Sequence, residues 1–184
     1  MGAILGPRGA TVEGVDLSGA LLALAERHEA STPRGIRFHR LSASQIGTRW
    51  PAGSFDVVTA CMSMQDMADA AGAIRGARMV LRPGGRLVFS VPHPATDTLV
   101  REWDRDAQRR KLALKLDRYF DSGPSICHWN MPRLVAHWST HGWRRTLGDW
   151  TRMVLDAGFE IRGLHEPRPT AAQVAANPNL EDCS

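Results

Sequence analysis

Ala10-Thr11-Val12-Glu13-Gly14-Val15-Asp16-Leu17-Ser18-Gly19-Ala20-Leu21-Leu22-Ala23-Leu24-Ala25-Glu26-Arg27 is the stretch whose reading decides the fold. The run from Ala10 closes on Asp16 as a short strand, and from Leu17 apolar residues return at helical intervals. An acid ending such a strand is where nucleotide-binding α/β domains accept hydrogen bonds from ribose hydroxyls, about 20 residues after a glycine-rich loop. Only fifteen residues precede Asp16. The chain is therefore expected to begin inside such a fold.

Outward from that stretch the pattern repeats. Gly35-Ile36-Arg37-Phe38-His39-Arg40-Leu41 alternates as a second strand, and Ser42 to Gly53 is polar and turn-rich. Ser54 to Cys61 is largely apolar, as for a parallel strand covered on both faces. Asp66 to Leu81 carries Met67, Ala70, Ala71, Ile74, Ala77, Met79 and Val80 at helical intervals, and Arg82-Pro83-Gly84-Gly85 breaks it. Arg86 to Val91 is the next strand, stopped by Pro92 and Pro94. Alternation of this kind predicts right-handed β-α-β crossovers in a doubly wound sheet, with ligands beyond the carboxyl ends of the strands. That placement nominates Asp16, Ser42 to Gln45, Cys61 to Asp66, and His93. Ala95 to Trp143 is looser: a charged helix over Leu99 to Leu116, an aromatic and Gly-Pro segment, then three tryptophans, a composition that suits a lid or substrate wall. Thr146 to Ala157 reads as a helix ended by Gly158, and Phe159 to Leu164 as a strand.

Composition narrows the function classes. A chain of 184 residues, 43% hydrophobic and 23% charged, supports one domain with a real core. No segment approaches the ~20 apolar residues of a membrane span, and the start lacks the features of a signal peptide. With three widely spaced cysteines, Cys61, Cys127 and Cys183, the expectation is a cytoplasmic protein with reduced thiols and no membrane partner. The net charge of +4 comes from 21 Arg and 2 Lys; between Arg101 and Arg118 seven bases stand among four acids. Such mixing describes a solvated surface and argues against nucleic acid as a partner. Cys127, His128, His137 and His141 offer metal-ligating atoms, but the adjacent first pair chelates poorly, so no metal is expected.

Four ordered pieces carry a resemblance: Val12-Glu13-Gly14-Val15-Asp16-Leu17-Ser18; Gly53-Ser54-Phe55-Asp56-Val57-Val58; Val80-Leu81-Arg82-Pro83-Gly84-Gly85-Arg86-Leu87-Val88; and Ala157-Gly158-Phe159 ahead of Glu166-Pro167. Over about Gly9 to Pro169 the chain resembles the class I S-adenosylmethionine-dependent methyltransferases, particularly the small-molecule branch called type 11. The resemblance implies an α/β, Rossmann-like, doubly wound and mostly parallel sheet, incomplete, with a helical lid insertion. It implies one domain over residues 1–184: core 9–94 and 144–169, lid 95–143, irregular tail 170–184. The cofactor implied is S-adenosyl-L-methionine and the partner a small-molecule methyl acceptor; a homo-oligomer is compatible with this reading.

By the same resemblance Asp16 binds the ribose hydroxyls, with Leu17 beside the adenosine; the plainer alternative is that Asp16 caps the following helix. Ser42, Ala43 and Ser44 fall where the family meets the adenine, Ser42 replacing the usual acid, and they read equally as an ordinary polar loop. Cys61 and Met62 lie beneath the methionine part of the cofactor, or serve as core filler. His93 faces the transfer site as a candidate catalytic base, or is a rigid turn residue between two prolines. His141 and Arg145 match a His-Arg pair that closes the substrate chamber; alternatively Thr146 caps the helix and Arg145 pairs with a surface acid.

The family's first strand and Gly-x-Gly loop, central in its sheet, have no counterpart here, and neither does its last antiparallel strand. The chain is thus expected to be truncated at both ends, with methyl transfer impaired for want of the loop. The alternatives are a noncatalytic remnant or interaction module of the same fold, and a nicotinamide-dependent oxidoreductase, which an acid at a strand end also suits.

Overall fold

The computed structural model describes residues 9–129 and 138–177. Its first half is built from two parallel β-α-β ribbons. Strand β1 (Val12–Asp16) pairs in parallel with β2 (Ile36–Arg40), and helix α1 (Gly19–Ser31) makes the crossover. Ser18 caps α1 by accepting the Leu21 N–H on its hydroxyl. A 3₁₀ turn (Ala43–Gln45) and the short helix α2 (Ile46–Arg49) lead to β3 (Phe55–Cys61). Helix α3 (Ala70–Val80) then crosses over to β4 (Leu81–Ser90), which pairs in parallel with β3. Gly84 and Gly85 sit where the ladder slips: Gly84 has φ +75°, and a Cβ on Gly85 would lie 2.9 Å from the Arg82 carbonyl oxygen.

The faces of the two ribbons follow from alternation. Val15, Phe55, Val58 and Leu87 pack on a cluster of Ile46, Ala77 and Val80, so α2 and α3 cover one side of both ribbons. Helix α4 (Leu147–Asp156) lies on the same side, where Trp150 and Val154 join Met64, Ala70 and Ile74 against Ala60, Leu87 and Phe89. Spacing explains α3: Ala70, Ala73, Ile74, Ala77 and Val80 recur at three- and four-residue steps and are all buried. Helix α1 packs against β1 and β2, and Arg40 Nε donates to the Leu17 carbonyl at 3.2 Å.

Three expectations are corrected. The lid is not helical. It is two antiparallel hairpins, β5 (Val100–Arg105) with β6 (Lys111–Asp117), and β7 (Gly123–Trp129) with β8 (Trp138–Arg144). Leu112, Leu114 and Leu116 alternate with Lys111, Ala113, Lys115 and Asp117, a period of two that puts the leucines beside Trp103 and Arg101 on one face. Asp106 fixes the turn by accepting the Gln108 and Arg110 amides at 3.0 and 2.8 Å. Next, Phe159 to Leu164 is not a strand, since no neighbouring strand among the described residues offers it a ladder. Finally, the irregular tail contains helix α5 (Ala171–Ala176), started by a capping box of Thr170 and Gln173.

No helix among the described residues is long and apolar enough to cross a membrane.

Candidate functional site

The carboxyl ends of β1 to β4 gather most of the nominated residues into two half-sites. On the first, Asp16 is half-buried, and its Oδ1 accepts the Ser18 amide at 2.7 Å. It thereby steadies the cap of α1, while Oδ2 has no hydrogen-bond partner among the described residues. Leu17 is exposed beside it. The Asp16 carbonyl accepts the Leu41 amide at 3.1 Å, which sets the Ser42 loop next to the acid.

Within that loop Ser42 Oγ accepts the Ser44 amide at 3.3 Å and lies 2.9 Å from Ser44 Oγ. Both hydroxyls therefore shape the loop itself. The backbone is held from below by close approach to α3: a Cβ on Gly76 would lie 3.0 Å from the Ala43 carbonyl oxygen. Beneath β1 and β2, Glu13 bonds Arg37 and, at 2.6 Å, His39 Nε2. The Arg37 hydrogen bond is the largest cause holding the Glu13 carboxyl below its ordinary range, against the opposing pull of burial.

The second half-site ties β3 to β4. The Met62 amide donates to the Ser90 carbonyl at 3.0 Å and reaches its hydroxyl at 3.1 Å; Cys61 Sγ lies 3.4 Å from that hydroxyl. Met62 takes φ +49° and is half-exposed, so the strand end turns sharply and presents a thioether to solvent. His93 opens a tight turn, its carbonyl accepting the Thr96 and Asp97 amides at 2.9 and 3.1 Å. Its Nδ1 accepts the Ala95 amide at 3.2 Å, and its Nε2 lies 2.5 Å from Glu166 Oε1. An amide donor at Nδ1 fixes the tautomer: the proton sits on Nε2 and is donated to Glu166.

The lid docks beside this half-site. A Cβ on Gly142 of β8 would meet the Gln65 carbonyl oxygen at 3.5 Å and Asp66 Oδ1 at 3.8 Å, so β8 passes over the turn that follows β3. His141 is exposed on β8, opposite Ile126 of β7. Arg145 is a strut: Nη2 donates to the Met67 and Ala68 carbonyls at 2.7 and 3.0 Å, Nη1 to the Trp143 carbonyl at 3.3 Å, and the guanidinium lies 5.1 Å over Trp150. The Tyr119 hydroxyl accepts the Leu147 amide at 2.9 Å and Ser122 Oγ donates to Asp149 at 2.7 Å, fastening the lid to the start of α4.

Two acids there were not singled out individually by the sequence reading. Burial pushes the Asp97 carboxyl up, with Arg144 and Arg101 pulling it back; burial and then the Asp97 charge push Asp66 up. Asp97 carried no motif, and only its fold neighbours make it visible.

Among the described residues no group of three or more His, Cys, Asp or Glu side chains converges as a metal site. The side chains of Cys127 and His128, and all of His137, lie outside the described residues.

A family model described as a methyltransferase domain matches residues 2–89. A ubiquinone biosynthesis O-methyltransferase from Ralstonia nicotianae is 34% identical over 85 residues, 46% of this chain and 35% of that protein. The chain thus spans about a third of the length of that curated relative. Among solved structures, an S-adenosylmethionine-dependent methyltransferase from Mesorhizobium loti superposes with a TM-score of 0.78 at 28% identity, over 98% of this chain and 78% of that one. A glycopeptide N-methyltransferase complexed with S-adenosyl-L-methionine shares the fold at a TM-score of 0.57 and 17% identity, over 89% of this chain and 72% of that one. The α/β, Rossmann-like fold class expected from the sequence is the fold of these neighbours.

Proposed function

We propose that this chain, whose residues 2–89 match a methyltransferase domain and whose fold is that of S-adenosylmethionine-dependent methyltransferases, takes part in methyl transfer from S-adenosyl-L-methionine to a small molecule. The observation that carries the reading is Asp16: a half-buried acid at the carboxyl end of β1, one oxygen engaged by Ser18 and the other without a hydrogen-bond partner among the described residues. Such an acid suits a pair of ribose hydroxyls. Leu17 would flank the adenosine, the backbone of Ser42, Ala43 and Ser44 its base, and Cys61 with Met62 the methionine end.

When bound, the cofactor would supply an electrophilic methyl on a sulfonium sulfur, with neutral S-adenosylhomocysteine as the leaving group. The chain's own contribution is alignment and exclusion of water. Glu166 holds the His93 proton on Nε2, so Nδ1 is the basic nitrogen; its 3.2 Å contact with the Ala95 amide is the weaker of its two bonds and the one to be exchanged for an acceptor hydroxyl or amine. His141 and the strut Arg145 shape the chamber wall on the lid side. The Ralstonia relative is named for ubiquinone biosynthesis, but its match spans under half of this chain, so the acceptor proposed here stays a small molecule with a hydroxyl or amine.

Calorimetric titration with S-adenosylhomocysteine tests the reading. Saturable heat that Asp16→Ala weakens by tenfold or so, about 1.4 kcal/mol, supports it; no heat in the native chain removes it. A second reading, a module of the same fold that holds no cofactor, is favoured by one observation: β1–β2 and β3–β4 form two separate two-stranded sheets among the described residues.

A further inference from the structure

Strand β6 reads Lys111-Leu112-Ala113-Leu114-Lys115-Leu116-Asp117, and its leucines fall symmetrically about Leu114. One of its edges ladders with β5, whereas the other meets no strand among the described residues, because β5 and β6 form a two-stranded sheet of their own. A hairpin of two strands is marginal until a third strand or a packed face supports it. Here the face is thinly covered too. Every residue of β6 except Leu114 is exposed, Leu112 at 65% and Leu116 at 40%.

The hairpin's two outer edges are not equivalent. β5 sets Arg101, Glu102, Asp104 and Arg105 among six residues, and an edge so charged discourages strand addition. On β6 the lysines turn back toward β5: Lys115 Nζ lies 3.3 Å from Asp104 Oδ2, and Lys111, where the ladder shifts register, lies over the Trp103 ring at 4.6 Å. The leucines are left along the open edge. A strand added there has to offer apolar side chains to Leu112, Leu114 and Leu116, and no like charge to Lys115.

A second β6 running antiparallel does both. With Leu114 opposite Leu114 of the second copy, Leu112 faces Leu116 and Ala113 faces Lys115 on alternate sides of the sheet. Each end of that ladder brings Lys111 of one copy beside Asp117 of the other, opposite charges at both ends. A slip of two residues one way sets Lys115 against itself, and two the other way sets it against Lys111; a slip of one puts leucines against lysine, alanine or aspartate. We propose that β6 is a self-association surface, through which two copies of this chain join edge to edge into one four-stranded antiparallel sheet in the order β5-β6-β6-β5. The two-fold axis passes at Leu114, so the contact is isologous and closes at the dimer, with only the charged β5 edges left outward. A single strand edge is well under a standard interface, so the dimer is weak and concentration-dependent. The inference rests on strand geometry and stands apart from the cofactor reading.

Sedimentation velocity on the full chain, over a concentration series rising to millimolar, should show a monomer passing reversibly into a dimer and nothing larger. Leu116→Lys, at an exposed position, sets a lysine against Leu112 of the second copy; because the two-fold repeats that contact, association should weaken roughly tenfold. Cysteine substitutions read the register, in a background with Cys61, Cys127 and Cys183 replaced by serine. On mild oxidation Leu114→Cys alone should give a disulfide-linked dimer, since that position meets itself across the axis. Leu112→Cys or Leu116→Cys alone should stay monomeric, and a mixture of the two should cross-link, because only facing positions bring Cβ atoms to about 5 Å. A monomer throughout the series, assembly beyond the dimer, association untouched by Leu116→Lys, or Leu112→Cys alone cross-linking as fast as Leu114→Cys would each overturn the proposal. None of these readouts involves the cofactor, so loss of S-adenosylhomocysteine binding leaves the inference untouched.

Discussion

Replacing Arg145 with alanine separates a strut from a substrate ligand. The guanidinium makes two short bonds to the Met67 and Ala68 carbonyls, a longer one to the Trp143 carbonyl, and stacks over Trp150, which is itself buried. A hydrogen bond from a charged donor contributes about 1.5–3 kcal/mol. Two of them, with about 0.5–1 kcal/mol from the ring contact, give roughly 4 kcal/mol or more before opposing costs. Burial opposes: it pushes the Arg145 pKa down, so the charge is held at a desolvation cost that Asp149 and Asp69 offset in part. The expected loss is about 2–4 kcal/mol, a fall in Tm of roughly 5–12 °C for a chain of this size. Arg145→Lys should recover less than half, because one ammonium lacks the planar fork that spans both carbonyls. Urea denaturation followed by Trp150 fluorescence reads this directly, with an unchanged m-value as the check on two-state behaviour. An Arg145→Ala chain within 0.5 kcal/mol or so of the native one would refute the strut, and would return Arg145 to the acceptor.

The remaining predictions concern the loop, the core and the acids. Gly76→Ala gains helix propensity of about 1 kcal/mol but drives a methyl to 3.0 Å from the Ala43 carbonyl and 3.1 Å from Ile46; net destabilisation with altered amide shifts confined to residues 42–46 is expected, and a stabilised chain would mean the loop is free to move. Ile74→Ala, at a fully buried site between α3 and α4, should cost about 2–5 kcal/mol in the same urea assay. Asp97 has a folded pKa raised by burial above its ordinary 3.8, so its contribution is favourable while protonated and declines as pH rises through 3.8 to the folded value. Asp97→Asn should therefore gain stability above that window and match the native chain below it. Asp149 behaves oppositely: bonds from the Ser122 hydroxyl and the Thr146 amide lower its pKa from 3.8, its contribution is complete above 3.8 and disappears as pH falls further, and Asp149→Asn should lose stability only above that range.

Where the chain obeys local rules, its sequence is a sufficient guide. Asp16 ends a strand as its spacing indicates, while the cap of the next helix, read at Asp16, falls two residues on at Ser18, whose amide Asp16 holds. Ala70 to Val80 is a helix with its buried face where the spacing puts it. The Thr146 cap and the Gly158 stop are equally local: a hydroxyl answers an amide three residues on, and a φ of +79° favours glycine. Carboxyl-end residues could be nominated because parallel crossovers of one hand bring those ends together.

Legibility failed where two segments compete for one pattern or where a partner strand decides. Charges between Arg101 and Arg118 fit helical spacing, but the leucines of Lys111–Asp117 keep a period of two, and pairing with Val100–Arg105 is the non-local event that made the lid a hairpin. Phe159 to Leu164 has strand composition but no ladder among the described residues. Arg145 looked like a ligand, and only folding brought the Met67 and Ala68 carbonyls within its reach.

By itself, then, the sequence determined the order and kind of the core elements, the Thr146 cap, the acid at the end of β1 and the family it resembles. Tertiary structure alone decided the lid's architecture and the engagement of both His93 nitrogens. The physical reason is range. Helical hydrogen bonds and caps close within four residues and are written in local spacing, whereas a strand's hydrogen bonds, and the partners that Arg145 and His93 find, depend on residues far away in the chain.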